Sequence, residues 1–272
     1  RCGALKIPDG VMKIWADNGF GRMLSRRQGN EDPRVDAMPR HESGENGIYY
    51  HAGFYDLQAA NHITQLQVPP ALIANELNQV VANGATDYWI INCGSVKPHM
   101  YILDLIRAAW TDGNVDAAAH AEAYARTYFG DARAANLLTG YADCAVPFGP
   151  HADNRAGDQY YHHAVRQLIW QLMRGQTAPV HGLFWAEAGE TVFAQAAGFA
   201  RRCAPHIAMW QSFIAKGEAL LTELSPAAAN LLNTTLLMNA RVHLSGCRVT
   251  AYLGRAFAAY QEGRCDEAFL HA

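Results

Sequence analysis

Three polar clusters interrupt the most apolar part of this chain. Asp17-Asn18-Gly19 closes the run VMKIWADNG, His51 closes NGIYYH, and Asn92, Gly94, Ser95 and Lys97 follow YWII. A carboxylate and an imidazole can move protons, an amide offers both donor and acceptor to hydroxyl groups, and an ammonium can meet an acidic ligand. Together these groups suit a sugar-binding site. Singly, each has a plainer reading, because Asp-Asn-Gly is ordinary turn chemistry and a histidine at a strand end is often structural. Ligands of parallel sheets bind beyond the carboxyl ends of the strands, where convergent loops rest on rigid backbone. Three polar strand ends in one sheet would therefore make a site, provided that Asp17, His51 and Asn92 reach a common rim.

The strands that must deliver them are predicted over residues 11–16, 48–51 and the segment DYWIINCG. Between the last two, PPALIANELNQVVANGA opens on prolines and repeats apolar residues at Leu72, Ile73, Leu77, Val80 and Val81. It closes on Asn83-Gly84, the signature of a helix. PHMYILDLIRAAW predicts a second helix, opened by Pro98. Strand alternating with helix implies a parallel sheet with crossover helices. From about Asn114 the chain is alanine-rich and reads as helix after helix: 115–129, 131–144, 158–173, 187–224 with a break or kink near Pro205, and 226–262. Ser225-Pro226 supplies a cap and first turn for the last of these. The expected architecture is α/β plus all-α, with an α/β region over 1–113 and a bundle of about five helices over 114–272.

Composition narrows the classes. With 272 residues, half of them hydrophobic, the chain can bury a sizeable core. A net charge of -3 with no basic run interleaved with aromatics argues against nucleic acid. No apolar run reaches the roughly 18 residues of a membrane span, so no membrane partner is expected. The amino terminus RCGALKIPDG lacks both a signal-peptide pattern and an initiating methionine, so the chain is expected to begin inside a longer gene product or to follow processing. Cysteines at 2, 93, 144, 203, 247 and 265 form no CxxC and are expected to be mostly free and buried. The adjacent His162 and His163 point in different directions on a helix and have no carboxylate at i+4, so no metal site is expected. Elbow, zincin, Walker and dinucleotide motifs are absent.

WADNGFGRM, NGIYYHAGF and YWIINCGSVKP, in that order with helical spacers between, resemble the middle of the glycoside hydrolase family 115 proteins. Those are xylan α-1,2-glucuronidases, which remove glucuronic acid or its 4-O-methyl form from xylan side chains. The family pattern runs Trp-x-Asp-Asp/Asn-x-x-Gly, then Gly-x-Tyr-Tyr-His, then Trp-x-x-Asn-x-Gly-Asp-x-Lys-Pro-x-Glu. Trp15, Asp17, Asn18, Gly21, Gly47, Tyr49, Tyr50, His51, Trp89, Asn92, Gly94, Lys97 and Pro98 stand at the matching places. Ser95 replaces the usual Asp and Met100 the usual Glu, and AGFYDLQAANHI replaces the Ser-Tyr-x-Gly-x-Pro continuation. The resemblance implies a (β/α)8 barrel followed by a helix bundle. A closed barrel takes about 250 residues, so residues 1–113 are expected to be its C-terminal part, with earlier strands upstream of Arg1.

The resemblance also implies inverting hydrolysis by two carboxyl groups about 6.5–9.5 Å apart. Asp17 and His51 are the candidate catalytic residues, and Asn18, Tyr50, Asn92, Lys97 and Trp89 the candidate sugar contacts, with Arg22 second to Lys97. Glu42, Glu45 and Asp56 are the available substitutes for the two missing carboxylates. No cofactor is implied. The expected partner is a polysaccharide or oligosaccharide, which makes a secreted or periplasmic home plausible, and a homo-oligomer is compatible with the sequence. Two other readings stand beside this one: a catalytically silent carbohydrate-binding or structural module, favoured by Ser95 and Met100, and a barrel glycosidase for another acidic or acetamido sugar.

Overall fold

The computed structural model describes residues 7–25, 34–41, 43–55 and 60–271. Its strands are β1 (Lys13–Ala16), β2 (Leu24–Ser25), β3 (Val35–Asp36), β4 (Asn46–Tyr55), β5 (Ala60–Asn61) and β6 (Tyr88–Cys93). β4 is central. It pairs in parallel with β1 on one side and β6 on the other, while its far end turns antiparallel against β5. The registers Trp15↔Ile48↔Trp89 and His51↔Asn92 bring the carboxyl ends of the three parallel strands side by side. β1 is shorter than expected and β4 longer, because the β5 return extends the ladder beyond His51. The spacer between β1 and β4 is not helical where it is described; it carries the small β2–β3 pair.

Alternation along the strands sorts the side chains into two faces. Ile48, Tyr50, Ala52 and Trp89 are buried, with Trp89 stacked on Trp110 and Tyr50 bonded to the Gly21 carbonyl. Ile14, Tyr88 and Ile90 occupy the other face and remain exposed. Gly47 is what lets β4 and β6 meet, since a Cβ there would lie 1.9 Å from the Tyr88 carbonyl oxygen. Gly47→Ala is therefore expected to cost about 3 kcal/mol and to lower the melting temperature by roughly 6–12 °C. An unchanged melting curve would show that the strand spacing is not limiting.

The helices are α1 (Pro70–Ala82), α2 (Met100–Asp112), α3 (Ala117–Phe129), α4 (Ala134–Gly140), α5 (Asp158–Met173), α6 (Val192–Leu221), α7 (Pro226–Leu232), α8 (Met238–Gln261) and α9 (Cys265–His271). α1 starts on Pro70 and buries Leu72, Ile73, Leu77 and Val80, the predicted stripe. A single 3₁₀ turn, Lys97–His99, leads into α2, which ends at Gly113 with φ +73°. Asp116, Thr191 and Ser225 cap α3, α6 and α7 by accepting backbone N–H bonds. α6 is one continuous helix through Pro205, so of the break or kink expected there no break occurs. A π-helical turn, Asn233–Leu237, joins α7 to α8 in one continuous helical stretch, and α9 was not anticipated. One buried cluster extends from Phe20, Ile48 and Tyr50 to Trp210 and Phe257.

Candidate active site

Asp17 directly follows β1, and its backbone N–H continues the ladder by donating to the Tyr49 carbonyl at 3.1 Å. Its carboxylate turns back over the sheet. Oδ1 accepts from the His51 backbone N–H at 3.1 Å and bonds the His51 ring at Nδ1, while Oδ2 accepts from the Gly19 N–H at 3.1 Å. Asp17 is buried, and that burial pushes its carboxyl pKa up against the opposing pull of His51. Gly19 and Gly21, with φ +75° and +82°, supply the left-handed turns that let the chain fold over Asp17.

Tyr49 meets the His51 ring edge-on, with centroids 4.7 Å apart, and its Oη accepts from Asn92 Nδ2 at 2.6 Å. Asp17, His51, Tyr49 and Asn92 thus form a connected polar rim across the ends of β1, β4 and β6. This is the convergence expected of the three strand ends. Lys97 and Ser95 lie exposed just beyond β6, and Met100 is half-buried at the start of α2. Behind the rim lies a layer of histidine. His62 donates its backbone N–H to the Gly53 carbonyl, and the His99 ring fits against Gly53, where a Cβ would come within 2.7 Å of Nε2. Burial, reinforced by His99, His243 and His51, holds the His62 pKa well below its ordinary value.

Other candidates are placed elsewhere. Tyr50 and Trp89 point to the helix side of the sheet and are packed in the core, so they are not sugar contacts in this structure. Asn18 is also buried. Its Oδ1 accepts from the Phe20 and Arg22 N–H groups and its Nδ2 donates to Asp153 at 2.8 Å, so it organises a turn rather than facing a ligand. Arg22 pairs with Glu76 of α1 at 3.2 Å. Glu45 is exposed at the amino end of β4, opposite to the rim, and Glu42 and Asp56 lie outside the described residues. His162 and His163 lie on α5, and among the described residues no group of three His, Cys, Asp or Glu side chains could hold a metal ion.

The sequence reading missed Asp153. Fully buried in the loop before α5, it accepts from Asn18 and from Arg34, whose Nη2 lies 2.8 Å from both carboxylate oxygens. Asp158 likewise accepts from the Thr64 hydroxyl at 2.8 Å. These two acids tie the helical part to the rim loops. Nothing in PFGPHADNRAGD marks either one as a partner of residues so far back in the chain.

Residues 1–146 match the family model described as Glycosyl hydrolase family 115. No curated protein matches. Among solved structures, one titled as a family GH115 4-O-methyl-alpha-glucuronidase with specificity for decorated arabinogalactans superposes with a TM-score of 0.58 at 16% identity. The match covers 98% of this chain and 33% of that one, so this chain spans about a third of its length. At that identity the likeness is one of fold.

Proposed function

The chain belongs to glycosyl hydrolase family 115, and from that premise we propose that its Asp17–His51–Asn92 rim is one sector of an active site that hydrolyses an α-linked glucuronic acid, or its 4-O-methyl form, from a polysaccharide of xylan type. The observation that carries this reading is the direct Asp17–His51 bond at the carboxyl ends of adjacent parallel strands, with Asn92 of the third strand linked through Tyr49.

The open sheet face supports a further part of the reading. Ile14, Tyr88 and Ile90 are exposed on the side away from α1 and α2, and an apolar sheet face of this kind normally packs against something. In a (β/α)8 barrel it would be interior wall, filled by side chains of the remaining strands. Residues 1–113 are on this view the C-terminal sector of such a barrel, and 114–272 a helical domain packed beside it.

Within the site Asp17 and His51 divide the work. Both oxygens of Asp17 are engaged, so it fixes the tautomer and direction of His51, and the imidazole is the group that meets the substrate. On this reading Asn92 binds sugar hydroxyls and Lys97 meets the uronate carboxylate. The two carboxyl groups of an inverting reaction would then come from other strands of the barrel, with the His51 imidazole assisting proton transfer beside them. The reaction requires no cofactor, and a polysaccharide substrate favours a secreted or periplasmic protein. Among the described residues no helix is long and apolar enough to cross a membrane.

The test is release of glucuronate by the full-length protein that contains this chain, offered glucuronoxylan and decorated arabinogalactan in parallel. Turnover of either supports the reading and chooses the substrate. Uronate binding without turnover of either would favour the silent module, which Ser95 and Met100 in place of two acids make the second reading. Cleavage of another acidic or acetamido glycoside, with both polymers inert, would overturn the glucuronidase assignment.

A further inference from the structure

We propose that the cleft between α5 and α8 binds an aromatic carboxylate, at a site separate from the Asp17–His51 rim and independent of the reaction proposed there. The cleft has a volume of about 710 Å³. Small-molecule sites span roughly 300–1,000 Å³ and combine apolar walls with a few convergent polar groups. The helical period builds such walls here. Val165, Ile169 and Met173 follow one another on α5 at four-residue steps, and Val242 and Val249 of α8 stand seven residues apart, spacings that return a side chain to the same side of a helix. Tyr161 is buried beneath them against Gly246, where a Cβ would lie 2.4 Å from the tyrosine ring, so the helices meet closely below the opening. Above it the walls stay open to solvent: Ile169, Trp170, Met173 and Val249 are all exposed. A contiguous apolar surface of this kind marks a binding face rather than ordinary protein surface.

Charge selects the ligand. Arg166 lines the cleft with its guanidinium over the Trp170 ring, 5.7 Å from the centroid, and Arg174 lies over the same ring at 5.8 Å. Among the described residues neither arginine forms an ion pair with a carboxylate. The acid that lines the cleft, Asp158, is buried, accepts from the Thr64 hydroxyl at 2.8 Å, and stands at the start of α5. Arg166 comes a little over two turns later, about 12 Å along the helix, so Asp158 does not neutralise it. A fixed guanidinium beside an apolar trough suits a flat apolar body that ends in an anion. The ring lies against Trp170 and Ile169, and the carboxylate takes the planar fork of Arg166 in a bidentate pair. Inorganic phosphate would meet the charge and leave the walls wet. A neutral sugar would leave Arg166 unmatched, and the lining holds no amide to meet its hydroxyls.

The test measures binding of naphthoate to the full-length protein by calorimetry at low ionic strength, with naphthylmethanol as the neutral match and decanoate as the alkyl match. One saturable site for naphthoate is expected, with naphthylmethanol weaker by about tenfold or more, the factor carried by a charge-assisted hydrogen bond. Arg166→Gln should weaken naphthoate by about that factor and leave naphthylmethanol within about twofold. Trp170→Ala should weaken both ligands. Val249→Asp puts a carboxylate on an exposed wall position, and should abolish naphthoate binding with an unchanged melting curve. Arg201→Gln, on α6 outside the cleft, and His51→Asn should both bind naphthoate as the parent does. Absence of saturable binding, equal naphthoate affinity in Arg166→Gln and the parent, or tighter binding of decanoate than of naphthoate would overturn the proposal. Loss of the site in His51→Asn would overturn it too, by placing naphthoate at the rim. Glucuronate release plays no part in the readout, so failure here leaves the reading of the rim untouched.

Discussion

Replacing His51 by Asn in the full-length protein is expected to lower kcat/KM on the productive polysaccharide by a factor of about 10²–10⁴, mostly in kcat, the range lost when a positioned proton-handling group is removed. Alanine would be the simpler change but a poor probe. The Asp17 carboxylate is buried, and taking away its ring partner leaves a charge uncompensated at a cost of about 3–5 kcal/mol. Asn keeps a polar group near Asp17 and so separates lost chemistry from lost folding. Asp17→Asn supplies the complementary case. Its amide would present a donor to Nδ1 and turn the imidazole to the opposite tautomer, so activity should fall by about 10² or more, while the same NH₂ group faces the His51 backbone N–H that Oδ1 accepts in the parent and costs about 1–3 kcal/mol of stability. A His51→Asn enzyme that folds and keeps activity within about threefold of the parent would remove His51 from the reacting centre.

The rim was legible because polar residues at strand ends break a strong apolar pattern, and parallel pairing places those ends together. Which neighbours join them was not legible. Tyr50 and Trp89 lie one residue away from Tyr49, His51 and Ile90, and IYYH and YWII are apolar on both faces, so the pattern has no polar alternation to say which side meets helix. Parity decided it: Trp89 stacks on Trp110 of α2, while Tyr49 turns toward His51. The surroundings of Asn18 were hidden for a related reason. Its side chain closes the turn over Phe20 and reaches Asp153, a partner supplied by a distant loop with no periodic signal.

The helices show the same division. α1, with its proline start and apolar stripe, and α5 begin and end where the sequence placed them. The long stretch from Pro226 was read as one helix, and its π-helical turn was not visible because it depends on tertiary packing: Gly217 of α6 abuts Leu237, and Asn239 reaches the Pro98 carbonyl at 3.4 Å. The turn also lies directly before the buried Asn239 and His243, so it helps set how the helical part presents polar groups to the layer behind the rim. In this fold the chemistry of the sheet end and the packing of the helices share one buried polar seam, running from Asp17 and His51 through His62 and His99 to His243.

That seam should make the protein acid-sensitive well above the carboxylate range. Burial holds His99 down to about 4 and His243 down to about 3, from an ordinary 6.5. His99 lies against Gly53 and the backbone of His62, which slightly favours its charge; His243 stacks on Trp210 at 4.7 Å with Tyr141 and Tyr161 edge-on beside it. In the unfolded chain both rings take a proton near 6.5, whereas in the folded chain they resist it until their depressed values. Their contribution is therefore complete above 6.5 and is lost as pH falls, through about 4 for His99 and about 3 for His243. By about pH 5 the two together should have removed roughly 4 kcal/mol, a large share of a typical folding free energy. Asp17, Glu76 and Asp158, which burial holds above their ordinary values, act in the opposite sense, gaining stability as they protonate. His243→Phe isolates the histidine contribution, since it keeps an aromatic ring on Trp210 and removes the titrating nitrogens. Between about pH 7 and about pH 5, urea melts of His243→Phe should show a loss of stability smaller than the parent's by about 2 kcal/mol. Equal losses in the two proteins would mean that the buried histidines do not govern the acid limb.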